Sequence, residues 1–538
     1  MKDYTKKQRT LIILGVAVFI LIGSGLTYAA LTWATSNPIN IGLTSGCFEI
    51  NYTPGGAINN ANVEVMNEST LINGSKFTIT EGIALTYANI GIKSTCSIEG
   101  YGSLYLNVTS LSSAFTTGSS KGSLKYAILN NTSSVSTPSV SSLKGQSFDI
   151  VKKGTITATG TTEILKKQLS NSTQNKYLIV FYIDGSLIGN DVIGSTFAGN
   201  ISADAHQGTA PVNTVELLTD LYTNATKTTA TLDSVTYNLA SSVGLMNDRE
   251  GSSSVGADAG NIRYYGANPN NYIYFNCSDY KNQSSSTCET WRIIGIVDGK
   301  MKIIRGSQIG SYSWDTSDSS TNSGYGVNEW SQADLMKLLN SGYDSESVGG
   351  SLYWNAKSGT CYNGSSNATT SCNFTSTGLK NDTTRNMIAE TTYYTRGHNS
   401  SSIFVGAMYD KERVSGTVVS ATPTRTLTWT GKVAVAYPSD YGYAADLSLC
   451  QKQLGSYNDA TCTANNWMKS ILAPNYGWLL TPYSGSANLA WYVYSSGFVN
   501  NYDFAYYAGG VAPVLSLTSE LDIGSGTGTS SSPYQLSV

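Results

Sequence analysis

Eight cysteines are the residues best suited to covalent chemistry: Cys47, Cys96, Cys277, Cys288, Cys361, Cys372, Cys450 and Cys462. Cys277 and Cys288, like Cys361 and Cys372, lie 11 positions apart, and Cys450 and Cys462 lie 12 apart. Each interval is rich in Ser, Asn, Thr or Gly, so each pair would close a short polar loop that apolar contacts cannot pin. Such a bridge contributes about 2–3 kcal/mol by restricting the unfolded chain. Cys47 and Cys96 then pair with each other. Zinc is disfavoured, because no Cys-x-x-Cys occurs and the only histidines are His206 and His398. The competing chemistry is an activated thiolate, which needs a neighbouring cation. Lys452 beside Cys450 is the one local hint, and a structural bridge accounts for that pair as well.

Acid–base chemistry has thinner support. Asp315, Asp318 and Glu329 flank an expected helix, and a paired-acid hydrolase needs two carboxylates at a fixed separation that sequence does not give. Asp315-Thr316-Ser317-Asp318 lacks the glycine and terminal glutamate of a calcium loop. His398 sits in the polar run Arg396-Gly397-His398-Asn399-Ser400, without a nucleophile motif, and reads as a surface loop residue. No catalytic residue, metal or cofactor is therefore assigned.

Binding chemistry is better represented, by 36 tyrosines. Tyrosine gives large contact area at low entropic cost and ends in a hydroxyl. Tyr502, Tyr506 and Tyr507, with Trp314, are the candidates for an exposed surface that binds a glycan or a protein.

Around these residues stand elements of three kinds. Lys2, Lys6, Lys7 and Arg9 precede an apolar run from Leu11 to Leu31 that is long enough to cross a bilayer. Basic residues remain cytoplasmic, so residues 1–35 direct the rest of the chain outward. The segment is either a retained membrane anchor or a signal cleaved near Thr27-Tyr28-Ala29-Ala30, which would leave a secreted protein. Charged residues are only 13% of the chain and net charge is −3, which argues against a nucleic-acid partner.

Residues 36–240 read as an all-β sandwich, jelly-roll-like, whose longest strand is Lys176-Tyr177-Leu178-Ile179-Val180-Phe181-Tyr182-Ile183. Its apolar residues on both faces predict burial on both sides. A Ser- and Gly-containing linker is expected over 241–260. Residues 261–538 read as α+β, opening with a hairpin around Asp298-Gly299. Helices are expected after Ser331, with Asp334 completing its cap, over 382–392 and over 464–472. Strands are expected over 432–436, 478–480, 490–494 and 511–517.

Two resemblances follow. The Tyr-Ala-Ala-Leu-Thr-Trp end of the apolar segment, Ile183-Asp184-Gly185 and Phe197-Ala198-Gly199-Asn200-Ile201 resemble the TasA/camelysin group of Gram-positive surface proteins. This implies export and, as several members assemble into fibres, self-assembly as an alternative function. The protease activity of camelysin is not implied, since no His-Glu-x-x-His motif is present. The second unit resembles a family of large Gram-positive surface proteins through four motifs. These are Trp291-Arg292-Ile293-Ile294-Gly295, Tyr325-Gly326-Val327-Asn328-Glu329-Trp330, Tyr437-Pro438-Ser439-Asp440-Tyr441-Gly442-Tyr443 and Gly477-Trp478-Leu479-Leu480-Thr481-Pro482. Its ending, Trp478 to Leu517, is similar to C-type-lectin-like and formylglycine-generating-enzyme-like domains, which implies a fold and not an activity. The expectation is a non-enzymatic, membrane-tethered surface protein that binds a glycan or protein. A cysteine-dependent oxidative enzyme is the third reading.

Overall fold

The computed structural model describes residues 43–45, 48–59, 63–94, 100–169, 173–207, 210–250, 254–255, 258–317, 325–418 and 425–537. The apolar run at 11–31, Cys47, Cys96 and Asp318 lie outside these residues. Among the described residues no helix is long and apolar enough to cross a membrane. The protein is mostly β-sheet and divides into two compact units, Met1–Ala210 and Pro211–Val538.

In the first unit, strand Gln174–Asp184 lies between Ala84–Ser94 and Leu124–Asn130 in a nine-stranded sheet. Period-2 alternation sends Tyr177, Ile179, Phe181 and Ile183 into one core, and Leu178, Val180 and Tyr182 into another. The first core is shared with a four-stranded sheet through Leu104, Leu106, Ile164 and Ile201, so the two sheets pack as a β-sandwich. The second core is closed by Phe77, Ile79, Leu143 and Phe148. A strand buried on both faces is what the apolar run at 176–183 predicts.

Both short motifs of this unit have local physical causes. Asp184 accepts hydrogen bonds from the Ser186 N–H (3.0 Å) and hydroxyl (2.8 Å), and lies 2.6 Å from the Lys125 ammonium. It thereby caps the turn at Gly185–Leu187. At Gly199 a Cβ would come within 2.8 Å of the Asn107 carbonyl oxygen, beside a register shift between Ala198 and Gly199.

The second unit begins earlier than its sequence indicates. Thr214–Asn224 is a helix capped by Asn213, whose Oδ1 accepts from the Val215 N–H at 3.0 Å. Strands Thr228–Leu232, Val235–Ala240 and Leu245–Asn247 form one end of a nine-stranded sheet that continues through Ile262–Tyr264, Glu289–Val297 and Lys300–Arg305. The expected boundary at 240 and linker at 241–260 are corrected accordingly. Leu218 and Ala240 join the same core as Trp291 and Ile293, so residues 211–247 belong to that core.

The Asp298-Gly299 hairpin forms as predicted, with φ of 51° and 75° at its two central residues. The first helix does not follow its predicted cap. It spans Asp334–Leu339 with Ala333 at its N-cap, while Ser331 donates its hydroxyl to Glu329 at 2.7 Å. The helix expected over 382–392 stops at Asn386, and strand Thr391–Tyr394 follows. The one expected over 464–472 is two short helices, Ala460–Ala464 and Lys469–Leu472.

A five-stranded sheet orders Ser311–Ser313, Ala508–Gly510, Tyr476–Pro482, Leu489–Tyr494 and Val499–Phe504. One of its faces supplies Leu479, Trp491, Val493 and Val499 to a second core cluster.

Candidate functional site

The candidate tyrosines are carried by this five-stranded sheet and the turn that follows it. Tyr494 ends one strand and Tyr502 lies on its antiparallel neighbour; they are 53% and 60% exposed. Tyr507, in the turn after Phe504, is 42% exposed, and Tyr325 is 40% exposed. Tyr507 stands 4.5 Å from Tyr506 and 5.8 Å from Phe504, ring to ring, and Tyr325 packs edge-on against Tyr506 at 5.1 Å.

Tyr506 and Trp314 depart from the expectation that they are exposed. Tyr506 is buried under its aromatic neighbours, and its carbonyl accepts from the Ser313 hydroxyl at 2.7 Å. Trp314 is wholly buried: its indole N–H donates to the Leu479 carbonyl at 3.2 Å and its ring meets Trp330 at 5.3 Å. These two residues hold the surface in place and do not form it. The turn is further fixed by the Ala505 N–H to the Asn488 carbonyl (2.9 Å) and the Asp315 N–H to the Ala505 carbonyl (3.0 Å).

Polar groups stand among the rings. Asn500 donates to the Tyr492 hydroxyl at 2.8 Å. Tyr492 in turn packs edge-on against Tyr476 at 5.1 Å. Burial raises the Asp503 carboxyl above the ordinary aspartate range, while the Phe504 N–H and Tyr476 pull it down. The sheet and its turn therefore present exposed tyrosines and a part-buried carboxyl, held by strands and not by a free loop, with the Asn500 amide buried beneath.

Of the carboxylates considered for acid–base chemistry, Asp315 and Glu329 are occupied by local structure. Asp315 accepts from the N–H groups of Val327 (2.6 Å), Ser317 (3.1 Å) and Asp334 (3.1 Å), and from the Ser317 hydroxyl. Burial, reinforced by Asp334, pushes Asp315 up to about 7. Asp334 accepts from the Thr316 N–H at 2.8 Å and hydroxyl at 2.6 Å. Glu329 accepts from Ser331 and from the Thr426 hydroxyl at 3.0 Å. Gly326 allows the turn between them: its φ is +78°, and a Cβ would sit 2.2 Å from the Asp315 carbonyl oxygen.

His398 is half-buried. Its carbonyl accepts from the Trp491 indole N–H (3.0 Å) and the Ser484 N–H (3.2 Å). His206 stacks on Tyr101 at 4.9 Å and lies 3.1 Å from Asp204, which raises its pKa. Among the described residues no group of three His, Cys, Asp or Glu could hold a metal ion.

The three spaced cysteine pairs form disulfides: Cys277–Cys288, Cys361–Cys372 and Cys450–Cys462. Cys450 and Cys462 are buried in the second core cluster, and Lys452 lies 4.0 Å from Asp459.

Sequence reasoning missed a buried polar cluster. Arg263 donates to Asp248 (2.5 Å) and Asp440 (2.8 Å), and Lys302 donates to the other Asp440 oxygen (2.5 Å), all of them buried. Nearby, Glu412 accepts from the Ser439 N–H (2.9 Å) and hydroxyl and pairs with Arg413 (2.8 Å). Glu250 accepts from the Tyr443 hydroxyl at 2.9 Å. The motif Tyr437–Tyr443 was the available signal, since Asp440 is the residue on which it converges.

No protein-family model matches the chain, and no curated protein matches it significantly.

Proposed function

We propose that the protein is a non-enzymatic surface protein of a Gram-positive bacterium, tethered by residues 11–31, whose second unit binds a glycan. The observation that carries this reading is the exposure of Tyr494, Tyr502 and Tyr507 on one sheet and the turn that follows it, with the part-buried carboxyl of Asp503 on the same strand as Tyr502. Sugars offer apolar C–H faces rimmed by hydroxyls. An aromatic ring meets the first, and an amide or carboxyl meets the second. A protein ligand would need a larger apolar patch than a few half-exposed rings. Support for the lectin-like reading of the unit's ending comes from its antiparallel strands at 476–482, 489–494 and 499–504.

The oxidative-enzyme reading is disfavoured, because Cys450 and Cys462 are joined and buried where a reactive thiolate must be partly exposed. Fibre formation through the first unit would use an open sheet edge. The strand Gly160–Leu169 is such an edge, but it carries Lys166 and Lys167 and a register shift between Glu163 and Leu165, which discourage strand addition.

Two measurements test the proposal. Protease added to intact cells should remove the second unit from the surface, and an immobilised glycan panel should retain the purified full-length protein. Complete protection of residues 211–538 inside cells would refute the location, and failure to bind any glycan would refute the activity.

A further inference from the structure

Arg292, in the Trp291-Arg292-Ile293-Ile294-Gly295 motif, is a nearly buried cation without an acidic partner. Trp291 points into the core, so alternation along the strand turns Arg292 to the opposite face. There the guanidinium carbon lies 3.7 Å from the centre of the Tyr272 ring and 5.0 Å from that of Trp467. Its Nε donates to Asn271 (2.5 Å), and its Nη2 donates to Asn268 (3.2 Å) and the Pro269 carbonyl (3.3 Å). All three acceptors are neutral, and among the described residues no carboxylate pairs with Arg292. Neutral acceptors and ring faces, but no opposite charge among the described residues, offset the loss of water around this cation, and burial lowers its pKa to about 10.

The residue lines a cavity of about 380 Å³. The other charges on the wall cancel. Glu289 receives Arg305 through Nε (3.0 Å) and Nη2 (3.2 Å), and Arg305 spends Nη1 on Ser307 and the Gln308 carbonyl. The cavity thus carries one net positive charge, from Arg292. Thr290, Ser307 and Ser470 add hydroxyls, and Tyr272 and Ile471 add apolar wall.

We propose that this cavity binds a carboxylate, the size and hydroxyl lining suiting a carboxylate carried on a single sugar ring. The ligand's carboxylate takes the Arg292 Nη1 hydrogens that no protein acceptor uses, and the ring lies against Tyr272. The site is separate from the tyrosine surface and does not depend on it.

Isothermal titration of the full-length protein with glucuronate, glucose and acetate tests the assignment. Glucuronate should bind and glucose should not. Acetate binding as well as glucuronate would assign a small organic acid as the carboxylate's source, and tighter glucuronate binding would assign an acidic sugar. Arg292→Lys keeps the charge but loses the planar fork, and should weaken binding roughly ten- to hundredfold. Because Arg292 also ties down Asn271, a second variant is needed: Thr290→Glu, at an exposed position on the cavity wall, sets a competing carboxylate there and should weaken binding equally with an unchanged melting temperature. Glucose binding as tightly as glucuronate, no binding of either acid, or wild-type affinity in a folded Thr290→Glu variant would overturn the proposal.

Discussion

Asp440 joins two basic side chains from separate strands, Arg263 and Lys302, at a point where all three are shut off from water. Burial alone would raise its pKa, but Lys302 and Arg263 together hold the carboxyl well below the usual range. Removing it leaves buried positive charge uncompensated. Asp440→Ala should therefore cost about 3–5 kcal/mol in urea unfolding, far more than an exposed ion pair. A loss under ~1 kcal/mol would mean that water reaches the cluster.

Glu250, close to this cluster, behaves in the opposite way. Burial, with help from Asp248, raises its carboxyl from 4.5 to about 7 against the pull of Tyr443 and the two arginines. The folded protein then keeps a proton that the unfolded chain has released. Stability from this group is complete below about pH 4.5 and is lost as pH rises to about 7. Glu250→Gln should remove that fall. Allowing for the group's partial exposure, the variant should gain roughly 1–2 kcal/mol on wild type at pH 8. Parallel stability–pH curves for the two proteins would contradict this.

At the scale of elements, the sequence was legible where pattern and burial coincide. Lys176–Ile183 carries apolar residues on both faces and lies between two strands under two cores. Asp298-Gly299 makes its turn because both residues adopt positive φ. The disulfide loops were legible because polar intervals of matched length need an external constraint. Three elements were not legible, for definite reasons. Residues 211–247 looked like the end of the first unit, because Leu218, Tyr237 and Ala240 reveal their membership only through the core they enter. Ser331 lost its capping role because Glu329 took its hydroxyl and Ala333 became the cap. Trp314 and Tyr506 looked like surface aromatics, since a loop sequence does not say which rings lie beneath which.

The Cys450–Cys462 bridge belongs to this scale as well. It ties helix Ala460–Ala464 to the segment before it, inside an apolar cluster. Replacing both cysteines with serine should lower stability by about 2–3 kcal/mol while leaving ligand binding intact. Loss of binding in a variant that still melts cooperatively would instead give the pair a direct role.

For the whole molecule, the proposal of a surface protein draws on sparse charge, abundant hydroxyl and amide side chains and the three disulfides among the described residues. On the proposed reading, the β scaffold presents a few side chains in fixed positions, and the exposed tyrosines are those side chains. Tyr502 is 60% exposed, so truncating it should shift stability by less than about 0.5 kcal/mol. Tyr507 packs on Tyr506 and Phe504, and its truncation should cost about 0.5–1.5 kcal/mol. The most direct test is the affinity of the full-length protein for its best glycan from the panel, measured by calorimetry for wild type and for the Tyr502→Ala, Tyr507→Ala double variant. The account predicts at least a roughly tenfold weaker affinity in a double variant that still unfolds cooperatively. Unchanged affinity in the double variant would contradict it.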